Sequence, residues 1–265
     1  MRALRLAVPF LSFVGAACAS SPAATRGTVA SSSTAPAAAS APAAPATGLD
    51  VLRLMHDRYA ATWYHTLTFT QATEITLPND SVVRQTWYET GMIPGLLRID
   101  RGARDGRNAI VFRRDSTYSR RDGGPWRAAR SRNVLMTLGF DVYRQAPEES
   151  ARVLGEEGYD LSRVSTATWE GRPVYVVGAA AGDSTSTQFW VDRERLVYVR
   201  SLERGLRDTT QRAEIVFGAY APLGGGWIAK EVTVREGGRM LQRETYTDVR
   251  ADVPVSAEFF DPAKM

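Results

Sequence analysis

Between Leu67 and Val249 the chain is a succession of short segments with two-residue apolar–polar alternation, divided by tight-turn residues. Leu67, Phe69, Thr73, Ile75 and Leu77 alternate with Thr68, Thr70, Glu74 and Thr76, the repeat of a half-buried strand. After Pro78-Asn79-Asp80, a second strand is expected over Ser81–Thr90, and shorter ones over Gly95–Arg101, Asn108–Arg113 and Ser116–Arg120. Asp122-Gly123-Gly124-Pro125 breaks this first run. In the second run, Val164–Trp169 and Arg172–Gly178 flank Glu170-Gly171, a two-residue hairpin signal. Thr185–Val191 and Leu196–Leu202 flank Asp192-Arg193-Glu194, and Gln211–Tyr220, Trp227–Glu236 and Met240–Val249 complete the set, with Gly237-Gly238 turning the last pair. Strands this short and this closely connected predict antiparallel sheet and exclude alternating βαβ units.

Helical periodicity is confined to two places. Thr47 to Asp50 can cap a helix whose apolar residues are Leu52, Met55, Tyr59 and Trp63, with His56 beside that stripe. Val134, Leu135, Leu138, Phe140 and Val142 belong to one or two short helices between the two strand runs, and Pro147 opens another with acids in its first turn. These helices have to be buried against the strands. The expected fold is therefore mainly β: an incomplete, strongly curved antiparallel barrel wrapped around a few helices. Such a sheet encloses a concave apolar interior, a common place for a ligand.

The first 48 residues differ from the rest. Arg2 and Arg5 precede an apolar stretch, Leu6–Ala17, too short to cross a bilayer and interrupted by Pro9, which reads as an export signal. Val14-Gly15-Ala16-Ala17-Cys18 resembles a bacterial lipobox and makes Cys18 the expected site of lipidation, although Gly15 stands where such boxes usually carry Leu. Ala17-Cys18-Ala19 also suits ordinary signal-peptide cleavage. Residues 19–48 are almost entirely Ala, Ser, Thr and Pro, which cannot offset their ordering entropy, and they are expected to form a disordered leash. The expected organisation is a signal peptide over 1–18, a linker over 19–48 and a folded domain over 49–265. That domain would sit in the periplasm, anchored to the outer membrane through Cys18, or otherwise be soluble there or secreted. It is read as a monomer.

Charge and chemistry narrow the function. The chain has 33 basic and 29 acidic residues, but Arg2, Arg5 and Arg26 precede residue 49, which leaves the folded part nearly balanced and disfavours nucleic acid as a partner. One cysteine permits neither an intramolecular disulfide nor a Cys-rich zinc site. His56 and His65 are the only histidines, no G-x-S-x-G elbow occurs, and the glycine pairs lack the Lys-Ser/Thr of a phosphate loop. Asp192, Glu194 and Glu244 fall at expected turns or strand faces where charge is ordinary. No catalytic residue, metal ligand or cofactor site is assigned, and the residues point to a binding protein.

The order of parts resembles the LolA/LolB-like superfamily of bacterial envelope proteins, over roughly residues 49–262. The resemblance is carried by the N-terminal helix leading into Leu67-Thr68-Phe69, by Trp169-Glu170-Gly171-Arg172-Pro173-Val174-Tyr175, and by the hairpin from Phe189 to Leu196. Gly225-Gly226-Trp227-Ile228 and the tail Glu258-Phe259-Phe260-Asp261-Pro262 add to it. It implies an incomplete barrel with helices as a lid, whose cavity holds acyl chains of lipoproteins or other lipids, with a role in lipoprotein sorting and no chemistry performed. The lipobox-like start is more like LolB, a lipoprotein, than the soluble carrier LolA. Gly91–Leu97 is the nearest candidate for a LolB-type protruding loop, but reads as an ordinary turn into a buried strand. Two other functions stay open: an envelope-stress sensor of RseB-like type that binds a membrane regulator, and a secreted hydrolase.

Trp87 and Trp190 are the candidate cavity-wall residues, since both lie on strands of the expected curved sheet. Arg98–Arg132 holds 11 Arg against four Asp. This segment is either a surface for an anionic membrane or a set of solvated strand faces.

Overall fold

The computed structural model describes residues 44–265. The export signal, Cys18 and the linker up to residue 43 lie outside the described residues. Thirteen strands form one antiparallel sheet. The first run comprises β1 (Thr66–Thr76), β2 (Val82–Met92), β3 (Leu96–Arg101), β4 (Ala109–Arg113), β5 (Ser116–Arg120) and β6 (Arg127–Arg130). The second comprises β7 (Val164–Trp169), β8 (Arg172–Val177), β9 (Gln188–Asp192), β10 (Tyr198–Arg204), β11 (Arg212–Leu223), β12 (Gly226–Glu236) and β13 (Arg239–Ala251). Each run is a meander, and β1 pairs with β13 to join them. The edges are β6 and β7, which do not pair, so the barrel stays open. Register shifts in the β1/β13, β9/β10 and β12/β13 pairings add local bends.

Three helices occupy the concavity: α1 (Gly48–Tyr59), α2 (Val134–Gly139) and α3 (Pro147–Glu156). The last two, with a 3₁₀ turn at Asp141–Tyr143 between them, lie in the connection that runs from edge strand β6 to edge strand β7. At the start of α1, Thr47 Oγ1 accepts from the Asp50 amide at 3.2 Å, and the Asp50 carboxylate accepts from the Thr47 amide at 2.9 Å. The Thr47 hydroxyl also donates to the Asp50 carboxylate at 2.8 Å, and this bond, followed by that from the Thr47 amide, holds the Asp50 carboxyl below its usual range. Gly48 packs so closely under Val177 that a Cβ there would lie 2.6 Å from its Cγ1. Val51, Leu52 and Met55 are fully buried, each contributing about 1.5–3 kcal/mol through lost water contact.

One half of the interior is filled by aromatic side chains. Trp63 stacks on Tyr143 with ring centroids 3.7 Å apart and on Tyr64 at 5.0 Å, and meets Tyr59 edge-on at 5.1 Å. Trp63 lies just past the end of α1, its amide still bonded to the Tyr59 carbonyl at 2.8 Å, so the apolar stripe expected of the helix outlasts the helix itself. Gly226 meets the ring face: a Cβ there would fall 2.2 Å from Trp63 Cε3. Under β1 to β4 a smaller cluster of Leu97, Ile99 and Met136 packs with Trp87, Ile110, Phe112 and Phe140, and leaves a cavity beside it.

Most expected strands are present, with four differences. The edge strand β6, Arg127–Arg130, has all four residues exposed and so no alternation to read. Strand β9 starts at Gln188 and not at Thr185, because the Asp183 carboxylate ties back the amides of Thr185 and Ser186 at 2.7 and 3.1 Å. Leu196, with φ of +53°, belongs to the turn before β10. Pairing of β11 with β12 continues through Pro222 to Leu223. The Glu170-Gly171 hairpin forms as expected, both residues at positive φ.

Candidate functional site

The register places Leu67 and Phe69 of β1, Trp87, Glu89 and Gly91 of β2, Leu97 and Ile99 of β3, and Ile110 and Phe112 of β4 on one face of the sheet. Gln242, Glu244 and Tyr246 of β13 share that face. The helical connection covers it with Leu135, Met136 and Phe140, and Phe217 and Val232 close the side toward the aromatic core. Between them lies a cavity of about 240 Å³ with mainly hydrocarbon walls. That size suits a single short chain or the end of a longer one.

Two carboxyls interrupt the hydrocarbon. Glu244 accepts from Tyr246 Oη at 2.7 Å and from Gln242 Nε2. Burial raises its pKa, and the hydrogen bonds from Tyr246, Gln242 and Gln71 oppose that rise. Glu89 is paired in register with Phe69 and Ile99. Burial pushes its pKa well above the usual carboxylate range, with the nearby Glu244 adding to the shift.

Trp87 stands in the cavity wall, its indole N–H donating to Gln85 Oε1 at 2.8 Å. Trp190 does not reach this cavity. Phe189, its neighbour in β9, meets Tyr159 on the helical side, so alternation turns Trp190 to the opposite face. There it meets Trp169 edge-on at 5.6 Å, and the Arg200 guanidinium lies over both rings, 4.3 Å from Trp190 and 4.5 Å from Trp169. The Arg172–Asp192 ion pair joins the two neighbouring hairpins, and the Asp192 carboxylate also accepts from the amides of Glu194 and Arg195 at 2.9 and 2.8 Å. The segments around Trp169 and Asp192 that the sequence singled out are thus fastenings between strands. Ile93 and Leu97 are buried, so Gly91–Leu97 is a tight turn without a protruding apolar tip.

The arginine-rich segment divides in two. Arg98 is buried on Asp100, with bonds of 2.9 Å, and Arg132 bridges Asp115 and Glu156, each at 2.6 Å. Arg101, Arg120, Arg121 and Arg127, by contrast, line a shallow concavity without an acidic residue in its wall. His56 Nδ1 lies 3.1 Å from the exposed Asp57 carboxylate, and the His65 amide donates to Asp252 at 2.8 Å. Among the described residues no group of three or more His, Cys, Asp and Glu has metal-binding geometry, and no helix is long and apolar enough to cross a membrane.

Sequence reasoning missed Glu89, which occupies an inward position of β2 flanked by Trp87 and Gly91. The available signal was an acid at a position whose i±2 neighbours both face inward, legible only once the concave face of β2 is known.

Three crystal structures share the fold. A DUF1329 family protein from Desulfovibrio piger ATCC 29098 aligns with a TM-score of 0.55 at 13% identity, over 81% of this chain and 95% of that one. An outer membrane lipoprotein-sorting protein domain from Vibrio parahaemolyticus aligns at 0.57 and 10% identity, over 82% and 97%. A LolA superfamily protein from Nitrosomonas europaea aligns at 0.50 and 7% identity, over 79% and 97%. No family model and no curated protein matches the chain. The fold is LolA-like, an antiparallel sheet that stops short of a barrel and carries its helices inside.

Proposed function

We propose that this chain is a non-catalytic envelope protein that binds acyl chains, of lipoproteins or other lipids, in the cavity under β1 to β4. The observation that carries this reading is a cavity of about 240 Å³ with mainly hydrocarbon walls, bounded by the sheet and by α2. Each methylene moved there from water gains about 0.8 kcal/mol, so a short inserted segment gains several. The lipoprotein-sorting domain from Vibrio parahaemolyticus and the LolA superfamily protein, which share the fold, support a role of this kind. In this reading the protein works as a monomer in the periplasm. Cys18 is lipidated, and the linker that follows it gives the domain reach from the outer membrane. The concavity lined by Arg101, Arg120, Arg121 and Arg127 would face the anionic membrane surface.

Gly91 supplies the test. It lines the cavity at an ordinary strand conformation, and the nearest atoms a Cβ would meet, the Leu96 and Leu67 carbonyl oxygens, are 3.8 and 4.0 Å away. Gly91→Phe therefore places a ring in the cavity without a backbone clash. The parent protein is expected to bind diphenylhexatriene with a rise in its fluorescence, and Gly91→Phe, still folded by circular dichroism, to bind it at least about tenfold more weakly, since burying one such side chain is worth that much. Equal binding by both proteins, or none by the parent, overturns the reading.

The anchor is tested separately. Cys18→Ala is expected to move the protein from the membrane pellet to the soluble fraction, because stable anchoring requires the acyl chains. A variant that stays with the membrane like its parent sinks the lipidation proposal.

A further inference from the structure

Three side chains around the cavity already donate elsewhere: Gln242 and Tyr246 to Glu244, and the Trp87 indole to Gln85 Oε1. Glu89 is left over. It is only 8% exposed, it lines the cavity, and no hydrogen bond from a described residue reaches its carboxyl. A buried carboxyl in this state costs free energy that a protein of this kind ordinarily avoids. Its register neighbours Phe69 and Ile99 give it no polar support.

The sign of the missing partner follows from the wall. A chain with 33 Lys and Arg puts none of them, and no histidine, around this cavity, while two carboxyls are there. An anionic end brought to Glu89 would meet only further acid. A cationic donor would find one vacant carboxyl, a second already held in place, and hydrocarbon for the rest of its length.

Resting on the reading of this cavity as a ligand site, we propose that it selects amphiphiles whose buried end is a protonated amine, received by the Glu89 carboxylate with Glu244 beside it. The tail lies against Ile99, Ile110 and Met136. Burial keeps Glu89 neutral in the empty cavity, so binding of the ammonium group is coupled to release of the Glu89 proton to solvent, the incoming positive charge lowering the pKa of the carboxyl in the complex.

Octylamine, octanol and octanoate differ in the end group and share the tail. In calorimetric titrations of the parent, octylamine is expected to bind at least about tenfold more tightly than octanol, the ordinary worth of a hydrogen bond to a charged group, and octanoate more weakly than octanol. Glu89→Gln keeps the shape and removes the charge, so it is expected to bring octylamine to the affinity of octanol while octanol binds as before. Glu244→Gln is expected to lower the octylamine preference less. Octanol binding without an amine preference, or a preference that survives Glu89→Gln in folded protein, overturns the proposal and leaves the apolar site standing. Failure of all three ligands overturns the site and the proposal together.

Discussion

Replacing Trp63 with alanine is expected to lower the free energy of unfolding by about 4 kcal/mol, the scale found when a buried tryptophan is cut back to a methyl group. The loss would be a large share of the roughly 5–15 kcal/mol that holds a typical domain together. Trp63 is 2% exposed and touches three other aromatic rings, of which Tyr143 comes from the helical connection and Tyr59 from α1. Arg144 adds a bond of 2.6 Å to its carbonyl. One side chain thus fastens the first helix to the connection between the sheet edges. Trp63→Phe should cost much less, because it keeps a ring and deletes an indole N–H that is buried without a partner. Gly226→Ala should be severe in the parent and mild beside Trp63→Ala, since the clash at 2.2 Å vanishes with the indole. Urea unfolding of the four variants checks all of this, and additive losses for the double variant would refute the packing described.

Asp141 governs the second large effect, which depends on pH. Its carboxyl is buried and accepts the Gly95 amide at 2.9 Å, tying the helical connection to the β2–β3 turn. Burial pushes its pKa up to about 7, against the opposing pull of the Gly95 N–H and the Arg114 charge. The folded protein therefore holds this proton more tightly than the unfolded chain, whose aspartates titrate near 3.9. The resulting stabilisation is complete below about pH 4, declines as pH rises and is gone above about pH 7. Glu89 and Glu244, both raised by burial, act in the same direction. Asp141→Asn keeps an acceptor for Gly95 and has no charge to bury. It should match the parent near pH 4 and exceed it by up to about 4 kcal/mol near pH 8. Urea midpoints across this range decide the matter; a difference that does not change with pH would show that Asp141 titrates normally.

The fold was legible where local chemistry was unambiguous. Glu170-Gly171 turns a hairpin because both residues can take positive φ, and Thr47 with Asp50 closes the capping box that starts α1. Strand β6 was not legible, because its fully exposed residues show no alternation and its place depends on β5 beside it. The limits of β9 and β10 depended on an aspartate turn and on a residue at positive φ, both invisible to periodicity.

The candidate site was readable only in part, for a related reason. Alternation separates two faces of a strand without saying which one is concave. Trp87 and Trp190 looked equivalent in sequence, yet one stands in the cavity wall and the other lies under Arg200 on the far side of the sheet. Glu89 and Glu244 belong to strands separated by β1, and nothing along the chain brings them to one space.

The pairing of β1 with β13 has a consequence for how the molecule is made. The first strand pairs with β2 at once but finds its second neighbour only in the last strand, some 170 residues onward, and until that partner is synthesised the two meanders share no ladder. Such distant pairings make folding slow, so the chain stays open while it is being threaded or translated. A copy shortened before Arg239 would leave two disconnected fringes with raw edges, a form prone to clump, and not a smaller edition of the same protein.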